Sequence, residues 1–244
     1  MKPLRRLRGS TTFHLIFRLS MSPPGFASIL IEHPGFHGVV AEEDGRILGS
    51  NFVDLRSVIA GIGPITVDPS TQNRGAGRLL MQAVMEHAAG RNHTGIRLVQ
   101  AAYHNRSLCL YTRLGFATRE PLSLMQGRPL GLSFPGYEVR PANMADISPC
   151  TALHERVHCF DRGGELADAV RDHKASVVEH LGRVTGYATE IGFFAHAVAE
   201  TNNDLKALIG AAPGAFRGRV FWCRPVTTTY SDGASITSCA CRCR

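Results

Sequence analysis

The chain has 244 residues, 44% hydrophobic and 19% charged, a composition that excludes a disordered tract and suits one large or two small soluble domains. The formal net charge is +7, but five basic residues and no acid fall in 1–20 (Lys2, Arg5, Arg6, Arg8, Arg18), and five arginines with one acid, Asp232, fall in 217–244. These two ends outweigh the whole excess, so 21–216 is slightly acidic, and nucleic acid is not expected as a partner.

Residues 1–20 form a basic segment that loosely resembles a transit peptide. A misassigned start or a shortened first element explains the same composition, and that reading is kept. No apolar run approaches the ~20 residues that span a bilayer, so no membrane partner is expected and the location is read as cytoplasmic.

From residue 40 the chain reads Val-Ala-Glu-Glu-Asp-Gly-Arg-Ile-Leu-Gly, and from residue 177 it reads Val-Val-Glu-His-Leu-Gly-Arg-Val-Thr-Gly. At one constant offset Val40 matches Val177, Glu42 matches Glu179, Gly45-Arg46 matches Gly182-Arg183 and Gly49 matches Gly186. Each stretch has the pattern of a β-hairpin closed by a tight glycine turn. Two such hairpins far apart predict two related domains.

Gly61 to Val67 reads as a buried strand with Pro64 inside it. Proline cannot donate to a ladder, so the strand is expected to bulge or part from a neighbour there. From Arg74 to about Ala89 the period becomes helical, with Leu80, Met81, Val84, Met85 and Ala88 on one face. Arg97 to Ala102 reads as the next strand. Ser107 to Leu114 reads as a short helix closed by Gly115 and followed by apolar Phe116. The order predicts a mixed α/β layer architecture.

Pro-Gly punctuation between Arg128 and Pro141 marks a domain edge. Beyond it Tyr137 to Arg140 reads as a strand, and Asn143 as the N-cap of a helix.

The segment from Val67 to Arg78, which contains Gln72-Asn73-Arg74-Gly75-Ala76-Gly77-Arg78, joins a strand to a helix. A helix start leaves unpaired N–H groups and partial positive charge, both favourable to an anion. Gly75 and Gly77 remove Cβ atoms so that a phosphate can approach the backbone, and Arg74 and Arg78 add positive charge. The spacing is neither the dinucleotide nor the P-loop pattern.

Downstream, Tyr103-His104-Asn105-Arg106-Ser107-Leu108-Cys109-Leu110-Tyr111 leads to Gly115-Phe116. The two segments together resemble the GNAT-type N-acetyltransferase superfamily: Gln72 to Gly77 matches its [QR]-x-x-G-x-[GA] motif, and Leu110 to Phe116 its L-Y-x-x-x-G-F motif. The resemblance covers 36–126 firmly and 137–210 weakly. It implies an acyl-CoA N-acyltransferase fold in tandem copies, the second incomplete, with acetyl-CoA as co-substrate, no metal, and a small-molecule or protein amine as acceptor; a homodimer is allowed. It further implies that main-chain groups of Ile65, Thr66 and Val67 pair with the pantetheine arm, and that the diphosphate rests on Gln72 to Arg78. The fourth and fifth strands would splay to admit the thioester. Tyr111 would protonate the departing thiolate while the neutral amine attacks directly.

Three departures from the family pattern stand out. The position seven before Tyr111 holds His104, with Asn105 beside it, where the family often has Asn, and either residue could bond the pantetheine arm. No carboxylate lies in 62–67 or 99–102 to serve as general base, which leaves Asp54, His104 or a water chain. In the second copy Glu200-Thr201-Asn202-Asn203-Asp204-Leu205-Lys206 stands where the loop belongs, without Gly-x-Gly or basic residues.

The domains expected are 21–132 with the acyl-CoA site, 137–216 as a partial copy, and 217–244 as an irregular Cys/Arg tail. Of the seven cysteines, Cys239, Cys241 and Cys243 cluster in that tail. No C-x-x-C pair or nearby histidine completes a zinc set, so no metal site is assigned.

Overall fold

The computed structural model describes residues 5–6, 26–119, 123–126, 130–192, 195–212, 219–222 and 241–243. Most of the basic segment 1–20 and most of the tail, Cys239 included, lie outside the described residues. The chain divides into two compact units, 1–117 with 241–244, and 118–240. The expected edge at 128–141 therefore falls inside the second unit.

In the first unit, strand β1 (Arg5–Arg6), helix α1 (Phe26–Glu32), and strands β2 (Phe36–Glu43), β3 (Arg46–Asp54), β4 (Ile59–Ile62) and β5 (Thr66–Val67) come first in the chain. Helix α2 (Ala76–Ala89), strand β6 (Gly95–Leu98) and helix α3 (Asn105–Arg113) follow. The sheet order is β1-β2-β3-β4-β6, and β5 pairs β3. The β4–β6 pair is parallel and β2–β3–β4 antiparallel, so the sheet is mixed.

Helix α2 forms where the apolar period predicts it. Leu80, Met81, Val84 and Ala88 are buried, and the last three share a core with Val53, Ile62, Leu98, Tyr111 and Phe116. Helix α3 ends in a Schellman motif: Gly115 takes φ 92°, its N–H bonds the Thr112 carbonyl, and Phe116 N–H bonds the Tyr111 carbonyl. The glycine is required by that left-handed turn, and buried Phe116 anchors the chain after it.

The second unit contains β7 (Ser123–Gln126), β8 (Tyr137–Pro141), α4 (Ile147–His158), α5 (Gly163–Arg171), β9 (Ser176–His180), β10 (Arg183–Ala188), β11 (Ala197–Ala199), α6 (Asn202–Ala211) and β12 (Arg219–Trp222). Its main sheet runs β11-β10-β9-β8, all antiparallel. Asn143 accepts from Ala145 N–H in a capping box with Asp146, at the 3₁₀ turn that runs into α4. Hydrogen bonds from Arg140 hold the Asp146 carboxyl below its usual range.

Strands β12, on β7, and β13 (Cys241–Cys243), on β6, correct the expectation of an irregular tail. Val220-Phe221-Trp222 is a β-favouring run long enough to pair.

The repeated hairpins agree beyond their turns. Asp44-Gly45 (φ 49°, 79°) and Leu181-Gly182 (φ 51°, 73°) place both central residues in the left-handed region, as a two-residue type I′ turn needs. Each hairpin then bulges at the matching position: the register slips between Ile47 and Gly49 in one and between Val184 and Gly186 in the other. Glycine follows both bulges because a neighbouring strand lies close. A Cβ on Gly49 would sit 2.3 Å from the Thr66 carbonyl oxygen, and one on Gly186 2.8 Å from a Val178 methyl. Gly49→Ala is expected to destabilise by about 1–3 kcal/mol, and Gly186→Ala by less, because its nearest backbone oxygen, that of Val198, is 3.1 Å from the built Cβ rather than 2.3 Å. Urea midpoints of the two variants check that order.

Candidate functional site

Strands β4 and β6 pair from Ile59↔Gly95 to Ile62↔Leu98 and part there. On the other side, β3 advances two residues from Ser50 to Phe52 while its partner goes three, from Thr66 to Gly63. The extra residue falls at Pro64, as the missing donor predicts. After the bulge β5 pairs only β3. The expected strand 97–102 thus ends at Leu98, since β4 offers no partner beyond Ile62.

The register decides which main-chain groups face the gap. Asp68 N–H bonds the Leu48 carbonyl at 2.7 Å, so Ser50↔Thr66 is the next hydrogen-bonded pair of the ladder. Alternation turns the Val67 N–H and C=O away from β3, toward the side that β6 has left. Thr66 is corrected by the same argument: its main-chain groups belong to β3, and its hydroxyl lies 2.9 Å from that of Ser50. Ile65 and Val67 are half-buried and pack beside Ala76 and Leu80.

The loop to α2 opens with Asp68, whose carboxylate accepts from Ser70 N–H and O–H, both at 2.8 Å. Those bonds, and the Arg46 guanidinium, lower its pKa. The backbone then passes twice through the left-handed region, at Asn73 (φ 68°) and Gly75 (φ 91°). Gly75 is the N-cap residue and supplies no side-chain cap. Among the described residues nothing bonds the N–H of Ala76, Gly77 or Arg78, leaving three donors at the positive end of a 14-residue helix. The Ala76 side chain is buried, so only its amide is offered. Gly77 packs against Val67 and Leu110, each 3.6 Å from a built Cβ.

Not every cation of the loop is available. Arg74 donates to both Glu43 oxygens, at 2.8 and 3.0 Å, which corrects the expectation that it adds free charge. Arg78 is exposed and makes no ion pair among the described residues. Arg106, in the first turn of α3, donates to the Gln72 side-chain oxygen.

His104 and Asn105 start α3 and are exposed, with His104 Nδ1 2.7 Å from the Ser107 hydroxyl. Tyr111 is 6% exposed and edge-on to Phe116, in the core that also contains Ile62 and Leu98, the last pair before the strands part. Asp54, one of the expected candidate bases, is engaged by Arg56. Arg56 grips both its oxygens, at 2.9 and 2.7 Å, and Arg56 N–H bonds it too.

The matching junction of the second unit is shorter and carries no glycine loop. Only Glu200 and Thr201 separate β11 from α6, whereas residues 68–75 separate β5 from α2. Thr201 caps Asp204 N–H, and the Asp204 carboxylate accepts from Thr201 N–H at 2.9 Å. The capping box of α6 thus satisfies the Asp204 amide with the Thr201 hydroxyl and the Thr201 amide with the Asp204 carboxylate.

The second unit also holds a buried polar cluster that the sequence does not announce. The Tyr187 hydroxyl lies 2.9 Å from His196 Nε2, and His196 Nδ1 3.4 Å from Glu165 Oε2. Arg162 Nε donates to Glu165 at 2.6 Å. Burial opposes the Glu165 charge, but Arg162 and His196 outweigh it and hold the carboxyl well below its usual range. Beside them, burial pushes His154 down to about 3, and its Nδ1–H donates to the Phe160 carbonyl at 2.6 Å.

Folded His154 stays neutral while the unfolded residue takes a proton below about pH 6.5. Its contribution to stability is complete above that pH and is lost as pH falls toward 3. His154→Gln is expected to flatten the fall of the urea midpoint between pH 6.5 and 4.

Among the described residues, no group of three His, Cys, Asp or Glu could hold a metal ion, and no helix is long and apolar enough to cross a membrane.

Residues 34–118 match the sequence profile of the acetyltransferase (GNAT) domain. Mycothiol acetyltransferase of Tsukamurella paurometabola is 33% identical over 82 residues, 32% of this chain and 28% of that protein. Its counterpart from Gordonia bronchialis is 33% identical over 87 residues, 35% of this chain and 28% of that protein. The chain thus spans under a third of these relatives' length. A crystal structure of a Pyrococcus horikoshii protein, provisionally assigned as an acetyltransferase, superposes with TM-score 0.61 at 17% identity, over 88% of this chain and 75% of that one. The mixed α/β fold is therefore shared well beyond the matched segment. The profile match falls on the split sheet and the glycine-opened helix start, so over residues 34–118 the first unit is similar to the GNAT acetyltransferase domain.

Proposed function

We propose that the chain is an N-acetyltransferase that moves an acetyl group from acetyl-CoA to an amine. The observation that carries this reading is the parting of β4 and β6 beside an α2 start whose first three amides have no partner among the described residues. The residues fit the co-substrate. The outward N–H and C=O of Val67 can pair an amide-bearing arm along the gap, and the amides of Ala76, Gly77 and Arg78 suit a diphosphate. Exposed Asn105 and His104, at the start of α3, remain the candidates for a further bond to that arm.

Acetyl-CoA supplies the acyl thioester. The neutral amine attacks its carbonyl carbon directly; the N–C bond forms, the C–S bond breaks, and the amine proton passes to water. Tyr111 gives its hydroxyl proton to the leaving thiolate, a role suited to an intrinsic pKa of ~10. The second unit is proposed as a copy that binds no CoA, because two residues, Glu200 and Thr201, replace the glycine loop before its helix and place the Asp204 carboxylate at the helix start.

Calorimetric titration with acetyl-CoA tests the site, with one molecule bound per chain expected. A thiol-release assay over a panel of amines then tests turnover. The panel includes amines related to mycothiol, because the two matched relatives are named mycothiol acetyltransferase. Absence of acetyl-CoA binding would refute the reading.

The locking of Asp54 by Arg56 favours a second reading, an acyl-CoA sensor without turnover on the same fold. Binding without thiol release for any amine would select it.

A further inference from the structure

We propose that Arg106 is an anion-binding residue of the first unit, reaching across from α3 to the diphosphate of coenzyme A. The proposal rests on the CoA site described above and adds a residue that neither glycine loop nor helix start contains.

Three observations carry it. First, α3 turns this face to the loop. A Cβ on Gly77 would lie 3.6 Å from the Leu110 side chain, and Arg106 precedes Leu110 by four residues, one turn along the same face. Second, the guanidinium already touches the loop, donating to the Gln72 side-chain oxygen. Third, no carboxylate pairs with it among the described residues. Of the cations around this loop, Arg46 is paired with Asp68 and Arg74 with Glu43, whereas among the described residues Arg106 meets only a neutral amide. Arg78 also makes no ion pair among the described residues, so two uncompensated guanidiniums border the three open amides of α2.

An amide oxygen is a weaker partner for a guanidinium than a phosphate oxygen, which offers charge and bidentate geometry. Gln72 therefore acts as a resting place for Arg106, which exchanges it for the diphosphate when coenzyme A binds. The basic character of the site comes from Arg106 and Arg78 more than from Arg74.

The test is calorimetric titration of the full chain with CoA and with dephospho-CoA, which keeps the diphosphate and lacks the 3′-phosphate. Arg106→Gln is expected to weaken both ligands by the same factor, tenfold or more. Arg113→Gln, which removes the same charge from the exposed far end of α3, is expected to leave both affinities unchanged. Loss for CoA alone would assign Arg106 to the 3′-phosphate and overturn the proposal. So would equal losses in the two variants, which would reduce the effect to net charge, or wild-type affinity in Arg106→Gln. If the unaltered chain binds neither ligand, the CoA site itself fails; if it binds both and Arg106→Gln does too, only the role of Arg106 fails.

Discussion

Gly75→Glu is expected to abolish measurable CoA binding while leaving the protein folded. The residue stands at φ 91°, ψ −6°, and a Cβ there would meet nothing within 4 Å. The substitution is therefore not blocked by packing; its steric cost is the left-handed backbone, about 1–2 kcal/mol for a non-glycine residue. Part of that cost is offset, because a carboxylate at the N-terminus of α2 interacts favourably with the helix dipole. The same carboxylate reaches the open amides that the diphosphate needs and repels it. A loss of at least a hundredfold in CoA affinity, about 2.7 kcal/mol, is expected by calorimetry, with circular dichroism and melting little changed. Gly75→Ala separates charge from strain: it carries the backbone cost without the carboxylate, so a loss of only a few fold is expected. Wild-type CoA affinity in Gly75→Glu would remove the diphosphate from this loop altogether.

What the sequence reveals here is what local chemistry dictates. Gly115 had to close α3 because only a residue at ease with φ 92° completes that Schellman turn, and Pro64 had to interrupt its strand because it lacks a donor. Asn143, three residues before Asp146, has the spacing of a cap. The buried stripe of α2 follows from the 3.6 period.

What stays hidden is partner choice over distance. Val99 to Ala102 is as apolar as the strand before it, yet β6 ends at Leu98 because β4 has ended across from it. Nothing near Arg74 in sequence points to Glu43, 31 residues earlier, nor anything near Arg106 to Gln72, 34 residues earlier. Tyr187, His196 and Glu165 come from β10, the approach to β11 and the first turn of α5, and none belongs to a motif. The matched hairpins fall between these cases. Their turns were legible from glycine, whereas the shared bulge at Leu48 and Thr185 is visible only in the register.

Tyr111→Phe is the substitution that separates catalysis from architecture. The ring is 6% exposed and packs with Val53, Ile62, Met81 and Leu98, and phenylalanine keeps that shape. The Tyr111 carbonyl, which accepts from Phe116 N–H and closes α3, is untouched by the change. Stability and CoA affinity are therefore expected to stay near those of the parent, the first because volume is conserved. On the proposed reading only the acid is lost. Expulsion of the thiolate then proceeds without a positioned proton, and kcat is expected to fall by about 10²–10⁴. A tyrosine that serves the core alone predicts the opposite pattern: Tyr111→Phe retains turnover within a few fold, and only Tyr111→Ala, which opens a cavity beneath α3, harms the protein. Measuring kcat, CoA affinity and the urea midpoint on the same Tyr111→Phe preparation decides between them, because the acid role moves the first quantity alone.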